Sequence, residues 1–184
     1  MADIANPIKT RMTWEEFLAA GEEWQRWELV DGEAEFMSPA GTRHGKVISR
    51  LDSRLDAYCA THREWIAFGA DTAFTIAPGT WRCPDAALVR AERFPGRTIP
   101  EGPAEFPPDV AFEVLWPGDT ARRVARKRRQ YQESGAIQVW IDSDKRAAEV
   151  AYPDRASRYF DGQSTLTIDG VDGFMLEMKS LFEV

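Results

Sequence analysis

A single acid placed inside an apolar strand constrains this chain more than any other feature. In the run DVAFEVLW, strand alternation puts Val110, Phe112, Val114 and Trp116 on one face and Ala111, Glu113 and Leu115 on the other, so both faces read as buried. An ionised carboxylate there costs several kcal/mol unless it is paired, hydrogen-bonded or bound to a cation. Glu113 therefore needs a partner. The following segment offers one. Pro117 and Gly118 end the strand, Asp119 or Thr120 can cap a helix, and the pattern predicts that helix from about Ala121 to Glu133, closed by Ser134 and Gly135. On its wheel Ala121, Val124 and Tyr131 share a face, with Lys127 at the edge four residues before Tyr131. Of the basic residues from Arg122 to Arg129, only Lys127 and Arg128 are placed to lean toward the sheet. Arg122, Arg126 and Arg129 point away. The plainer reading is that Lys127 and Arg128 snorkel and the helix carries a solvated basic face.

A second acid sits in a similar setting. Trp65–Val89 reads as a strand, a turn at Pro78-Gly79 and a second strand in which Cys83, Asp85, Ala87 and Val89 share a face, with Pro84 marking an edge or a bulge. Either acid alone is explained by an arginine partner. Two acids on successive strands suit a shared divalent cation, because a hard metal takes carboxylate oxygens from different elements.

The remaining segments read as structure. Thr13 and Glu16 form a capping box for a short helix ended by Gly21, and RWELVDGEAEFM is a hairpin turning at Asp31-Gly32. Glu28, Glu33 and Glu35 read as its solvated acids. Val47, Leu51, Leu55 and Tyr58 give the stripe of an amphipathic helix, with His44 at its start as a hydrogen-bonded residue or as a reach toward a metal or phosphate. The proline- and glycine-rich stretch from Arg90 to Pro108 reads as an exposed loop. IQVWID is another buried strand, and short strands and glycine turns lead to an apolar C-terminal segment.

With 184 residues, 43% hydrophobic and 29% charged, the chain suits one domain over 13–184 behind a flexible stretch at 1–12. A net charge of −7 argues against general nucleic-acid binding and leaves the basic helix as a local exception. Cys59 and Cys83 make neither a metal-ligand spacing nor a disulfide framework, which predicts free thiols in a reducing compartment. No apolar run reaches membrane-spanning length and the first residues lack a signal core, so a soluble cytoplasmic protein with no membrane association is expected.

The order RWELVDGEAEFMSP, His44, CPDAALV, DVAFEVLWPGDT, Lys127 four before Tyr131, SGA and VWID resembles the Uma-type endonuclease family, long filed as a domain of unknown function within the PD-(D/E)XK nuclease superfamily. The likeness spans nearly the whole chain. It implies an α+β, restriction-endonuclease-like fold, a mixed β-sheet core flanked by helices. It also implies a Mg²⁺ ion, or Mn²⁺ in its place, held by Asp85 and Glu113, with Lys127 as the third catalytic residue, displaced from its usual strand position, where Leu115 stands. Glu28 and His44 match motif positions that would complete the site. Two local departures are Trp116, where many relatives have serine, and Arg123, where an aspartate is common. The implied activity is hydrolysis of phosphodiester bonds in nucleic acid, DNA before RNA, with Arg122, Arg126 and Arg129 on the phosphate backbone. The rival is a catalytically inactive nuclease-fold module that binds DNA or another partner. Trp14, Trp24 and Trp27 would serve either core packing or self-association as a homodimer.

Overall fold

The computed structural model describes residues 12–19, 27–36 and 41–183. The flexible stretch expected at 1–12 lies, Met12 apart, outside the described residues, as do Trp24 and the side chains of Trp14 and Trp27. The capping box forms as expected: the Thr13 N–H donates to Glu16 and the Glu16 N–H to the Thr13 hydroxyl, opening α1 (Trp14–Ala19). Strands β1 (Trp27–Val30) and β2 (Glu33–Phe36) are joined at Asp31 and Gly32, whose φ values of 53° and 76° are the pair a two-residue right-twisted hairpin turn needs. Helix α2 (Thr42–Thr61) buries Val47, Leu51, Leu55 and Tyr58, the stripe read from the sequence.

The middle of the chain departs from that reading. The two long strands expected between Trp65 and Val89 are four: β3 (Trp65–Gly69), β4 (Phe74–Ala77), β5 (Thr80–Arg82) and β6 (Ala86–Arg90). The inner pair, β4 and β5, leaves the main sheet and joins the hairpin in a four-stranded sheet ordered β2-β1-β5-β4. Pro84, which has no N–H to give a ladder, sits where the chain changes sheets. The loop expected to be exposed is also partly core. Its two 3₁₀ turns carry Phe94, which packs on Phe68 and Phe106, and Ala104 is buried and bridges to Phe74.

The main sheet is completed by β7 (Val110–Leu115), β8 (Ile137–Asp142), β9 (Ala147–Ala151) and β10 (Arg158–Phe160), in the order β10-β9-β8-β7-β6-β3. Only β7 and β8 run parallel, connected by α3 (Ala121–Ser134) as a crossover helix. Thr120 caps α3 by accepting from the Arg123 N–H, and Gly135, at φ 83°, ends it in the left-handed region. Alternation along β7 splits the core in two. Phe112 and Val114 pack with α2, while Ala111 packs with Tyr131 of α3 and with Phe74 and Ile76 of the small sheet. Glu113 lies on the second face, between the main sheet, α3 and the small sheet. A short pair, β11 (Thr165–Leu166) and β12 (Leu176–Glu177), and α4 (Met178–Phe182) close the first face.

Candidate active site

Glu113 is 8% exposed in the centre of β7, and its partners come from one face of α3. Lys127 Nζ lies 3.0 Å from both carboxylate oxygens, and the Tyr131 hydroxyl donates to Oε1 at 2.8 Å. Residues four apart on a helix stand one above the other, so a single docking of α3 delivers both donors. Lys127 also lies 3.5 Å from Glu28.

Asp85 sits in the link between the two sheets. Its Oδ2 accepts from the Val114 N–H at 2.7 Å. The β6–β7 register pairs Ala86 with Phe112, so Asp85, the residue before β6, comes up beside Glu113, close enough for its charge to act on that carboxyl. His44, in the first turn of α2, brings Nε2 to 2.7 Å from the Val114 carbonyl and 3.5 Å from Asp85 Oδ2; the short carbonyl contact assigns the proton to Nε2. His44 Nδ1 is buried without a hydrogen-bond partner among the described residues. Thus Asp85, Glu113, Lys127 and His44 gather at one end of β6 and β7, and Glu28 stands behind Lys127.

Glu28 corrects the expectation of a solvated hairpin acid. It is buried because β1 is covered by β5 and α3, and Arg82 Nη1 holds its Oε2 at 2.6 Å while the Cys83 N–H holds Oε1 at 3.1 Å. Arg82 is fully buried and gives two further hydrogen bonds, of 3.0 and 2.6 Å, to Gln130 Oε1 of α3. Arg123, the basic residue found where relatives carry aspartate, lies 3.8 Å from Glu28 and adds to its neutralisation. Sequence reasoning missed Arg82 and Gln130. The available signal was an arginine between Trp81 and Cys83 in a strand leading into an apolar one.

The outward arginines divide. Arg122 and Arg129 are exposed, as expected. Arg126 is not free to reach solvent partners, because its guanidinium is ion-paired with Glu35 of β2, where the small sheet leans against α3. Arg128 leans inward as expected, stacking 4.5 Å over the Trp140 ring and pairing with Glu149 at 2.8 Å. Trp116 does not fill the site: its ring folds back over Gly118, where a Cβ would stand 2.1 Å from the indole.

The site sets three acids, Asp85, Glu113 and Glu28, against three cations, Lys127, Arg82 and Arg123. Burial pushes the Glu113 carboxyl well above the usual range; Lys127 opposes this, while Asp85 and Glu28 reinforce it. Burial works the same way on Glu28, but Lys127 and Arg82 prevail and hold it down at about 2. Burial alone would lower Lys127, yet Glu113 and Glu28 raise it, so it stays an ammonium ion. Asp85 Oδ1 takes no hydrogen bond among the described residues, so one carboxylate oxygen remains to be filled.

Among the described residues no group of three or more His, Cys, Asp or Glu side chains is arranged to hold a metal. Two carboxylates nevertheless fit Mg²⁺ or Mn²⁺, which commonly bind through one or two protein carboxylates and complete their shell with water and substrate phosphate.

This geometry agrees with the comparisons. The Uma2 family, described as "Putative restriction endonuclease", matches residues 14–179. The chain belongs to the Uma2 family. A crystal structure of a "putative nuclease belonging to DUF820" from Anabaena variabilis superposes with a TM-score of 0.78 at 21% identity, covering 93% of this chain and 97% of that one. The restriction-endonuclease-like fold of this Uma2 member is thereby shown. No curated protein matches the chain. No helix among the described residues is long and apolar enough to cross a membrane.

Proposed function

We propose that this Uma2 protein is a divalent-metal-dependent endonuclease that hydrolyses phosphodiester bonds of nucleic acid, with DNA as the first substrate to try. The observation that carries the reading is the buried Glu113 carboxylate, bound to Lys127 and Tyr131, with the Asp85 carboxylate held beside it on the Val114 N–H. Asp85 and Glu113 would hold Mg²⁺, with Mn²⁺ as a substitute. Such an ion polarises a phosphate oxygen and makes a bound water more acidic.

The chain's own groups do the rest. Lys127 has three donors and no acceptor, so beside the acids it can hold a water or a phosphate oxygen and offset charge developing there. Tyr131 donates to Glu113 Oε1 and so fixes the orientation of the carboxylate. Glu28 steadies Lys127 from behind, and His44 ties the start of α2 to the Val114 carbonyl. Arg122 and Arg129, exposed on α3, can contact phosphates, which adds affinity without sequence preference.

The test is plasmid nicking with Mg²⁺ or Mn²⁺ present, comparing the wild type with Asp85→Asn and Glu113→Gln. Loss of one catalytic group is expected to cost about 100-fold or more in rate, roughly 3 kcal/mol of barrier. A wild type that turns over no DNA or RNA with any divalent ion would instead favour a fold retained for binding.

A further inference from the structure

A second polar groove lies beside the acid site on the opposite face of the sheet. We propose that this groove, between the start of α2 and the β8–β9 turn, holds backbone phosphates of the nucleic acid flanking the bond to be cut. The proposal rests on the endonuclease reading and says where the rest of the substrate lies.

The groove encloses about 360 Å³ and draws Arg43, Lys46 and Arg50 from α2 together with Arg146 from the turn. In a chain of net charge −7 this is a concentration of one sign. One acid lines it, Glu183, and Lys179 already sits 3.3 Å from that carboxylate. The four cations are weakly committed. Arg43 pairs with Asp144 across 3.1 Å, but both side chains are mostly exposed. Arg50 gives a long 3.3 Å bond to the Leu181 carbonyl, and Arg146 rests 5.7 Å from the Phe182 ring. Lys46 makes no ion pair among the described residues. Opposed charges that water already screens give up little when a phosphate replaces them.

A buried group supplies an independent observation. Ser143, which also lines the groove, is 8% exposed, and its Oγ has no hydrogen-bond partner among the described residues. A buried hydroxyl left without a partner is destabilising, and a phosphate oxygen would accept from it. The first turn of α2 adds to this, since Gly41 offers no capping side chain to the leading N–H groups of a 20-residue helix.

Position links the groove to the chemistry. Leu115 of β7 is in register with Asp142 of β8, and Ser143 is the next residue. Ser143 therefore lies one strand spacing across and three residues along from Glu113, roughly 11 Å between the two backbones. Phosphates recur along a nucleic-acid strand at shorter intervals than that, so a strand with its scissile phosphate at Glu113 has others to offer here. The same turn of α2 sends His44 to Val114 and Asp85 and sends Arg43 and Lys46 into the groove.

The experiment measures binding with EDTA present, so that no cleavage competes. Fluorescence anisotropy follows a short fluorescein-labelled DNA duplex and its single strand across a salt series, and calorimetry follows inorganic phosphate. Wild type is compared with the double variant Lys46→Gln/Arg146→Gln and with Ser143→Ala. The double variant should bind the duplex about tenfold more weakly at low salt, with a log–log salt slope flatter by about 0.9 for each phosphate left without its cation. Ser143→Ala should weaken binding while its thermal midpoint stays level or rises, since the hydroxyl it removes has no partner. If wild type binds nucleic acid and both variants match it in affinity and slope, the groove is not the phosphate site and the endonuclease reading survives. Variants that lose inorganic phosphate but keep nucleic-acid affinity would make this a free-anion site and overturn the proposal. A wild type that binds neither duplex nor single strand overturns the groove proposal, and nicking with Mg²⁺ or Mn²⁺ decides the endonuclease reading separately.

Discussion

Replacing Arg82 with methionine would take the buried guanidinium away from Glu28 and Gln130 and leave an acid inside the protein. The structure sets the size of the effect. Glu28 is held down from 4.5 to about 2 by Lys127 and Arg82 against the opposing push of burial. At about 1.4 kcal/mol per pH unit, that lowering is worth roughly 3 kcal/mol, and removing one member of a buried pair typically costs 3–5 kcal/mol. Lys127 at 3.5 Å and the Cys83 N–H at 3.1 Å remain, so the lower figure is the expectation. Urea unfolding followed by tryptophan fluorescence should show a midpoint lower by about 1–3 M for a slope of 1–3 kcal/mol per M. The sign with pH follows from the same group. Because the folded-state pKa of Glu28 is depressed, its contribution is present above about 4.5 and is lost as pH falls toward 2. The Arg82→Met protein should therefore lose less stability across that window than wild type. Adding Glu28→Gln should recover part of the loss, since the carboxylate that Arg82 neutralised is then gone, so the two changes would be less than additive. A loss below about 1 kcal/mol at neutral pH, or an unchanged acid limb, would refute the assignment of Arg82 as the counter-ion of Glu28.

Three further outcomes follow from the site. Lys127→Ala should keep Mn²⁺ affinity by calorimetry and lose nicking activity, whereas Asp85→Ala and Glu113→Ala should lose both, because an ammonium ion is not a metal ligand. Tyr131→Phe should cost about 1 kcal/mol in urea unfolding through the missing bond to Glu113 Oε1 and slow nicking less than Lys127→Ala does. Arg122→Gln with Arg129→Gln should weaken DNA binding and flatten its salt dependence, while Arg126→Gln should act mainly on stability, since Arg126 is tied to Glu35.

What could be read from the sequence was what local chemistry decides. The hairpin at Asp31-Gly32, the Thr120 cap, the Gly135 stop and the stripe of α2 each depend on neighbours a few residues away. Glu113 stood out for the same reason, an acid where alternation demands apolar groups. The departures concern distant partners. Whether Thr80–Arg82 continues into β6 or leaves for another sheet depends on Leu29, which pairs with Trp81 across the sheet. Glu28 looked solvated because α3, which covers it, begins at Ala121. The stretch from Arg90 to Pro108 has the composition of a loop, and nothing local reveals that Phe94 and Phe106 stack within it. Arg126 was placed outward by a wheel drawn for one helix against one sheet. A second sheet on that side turns the same direction into a contact.

The small sheet also dictates an order of events in time. Its hairpin is complete once Phe36 has been synthesised, yet Glu28 waits 54 residues for Arg82, and Glu35 waits 91 for Arg126. Until those cations arrive, desolvating Glu28 is uphill, so the hairpin has to remain in water while later segments assemble. The step that buries Glu28 is the docking of α3, and that same step carries Lys127 to Glu113. A chain still emerging from the ribosome thus lacks the Lys127–Glu113 contact until α3 has been made and has docked, so the candidate site takes shape together with the fold.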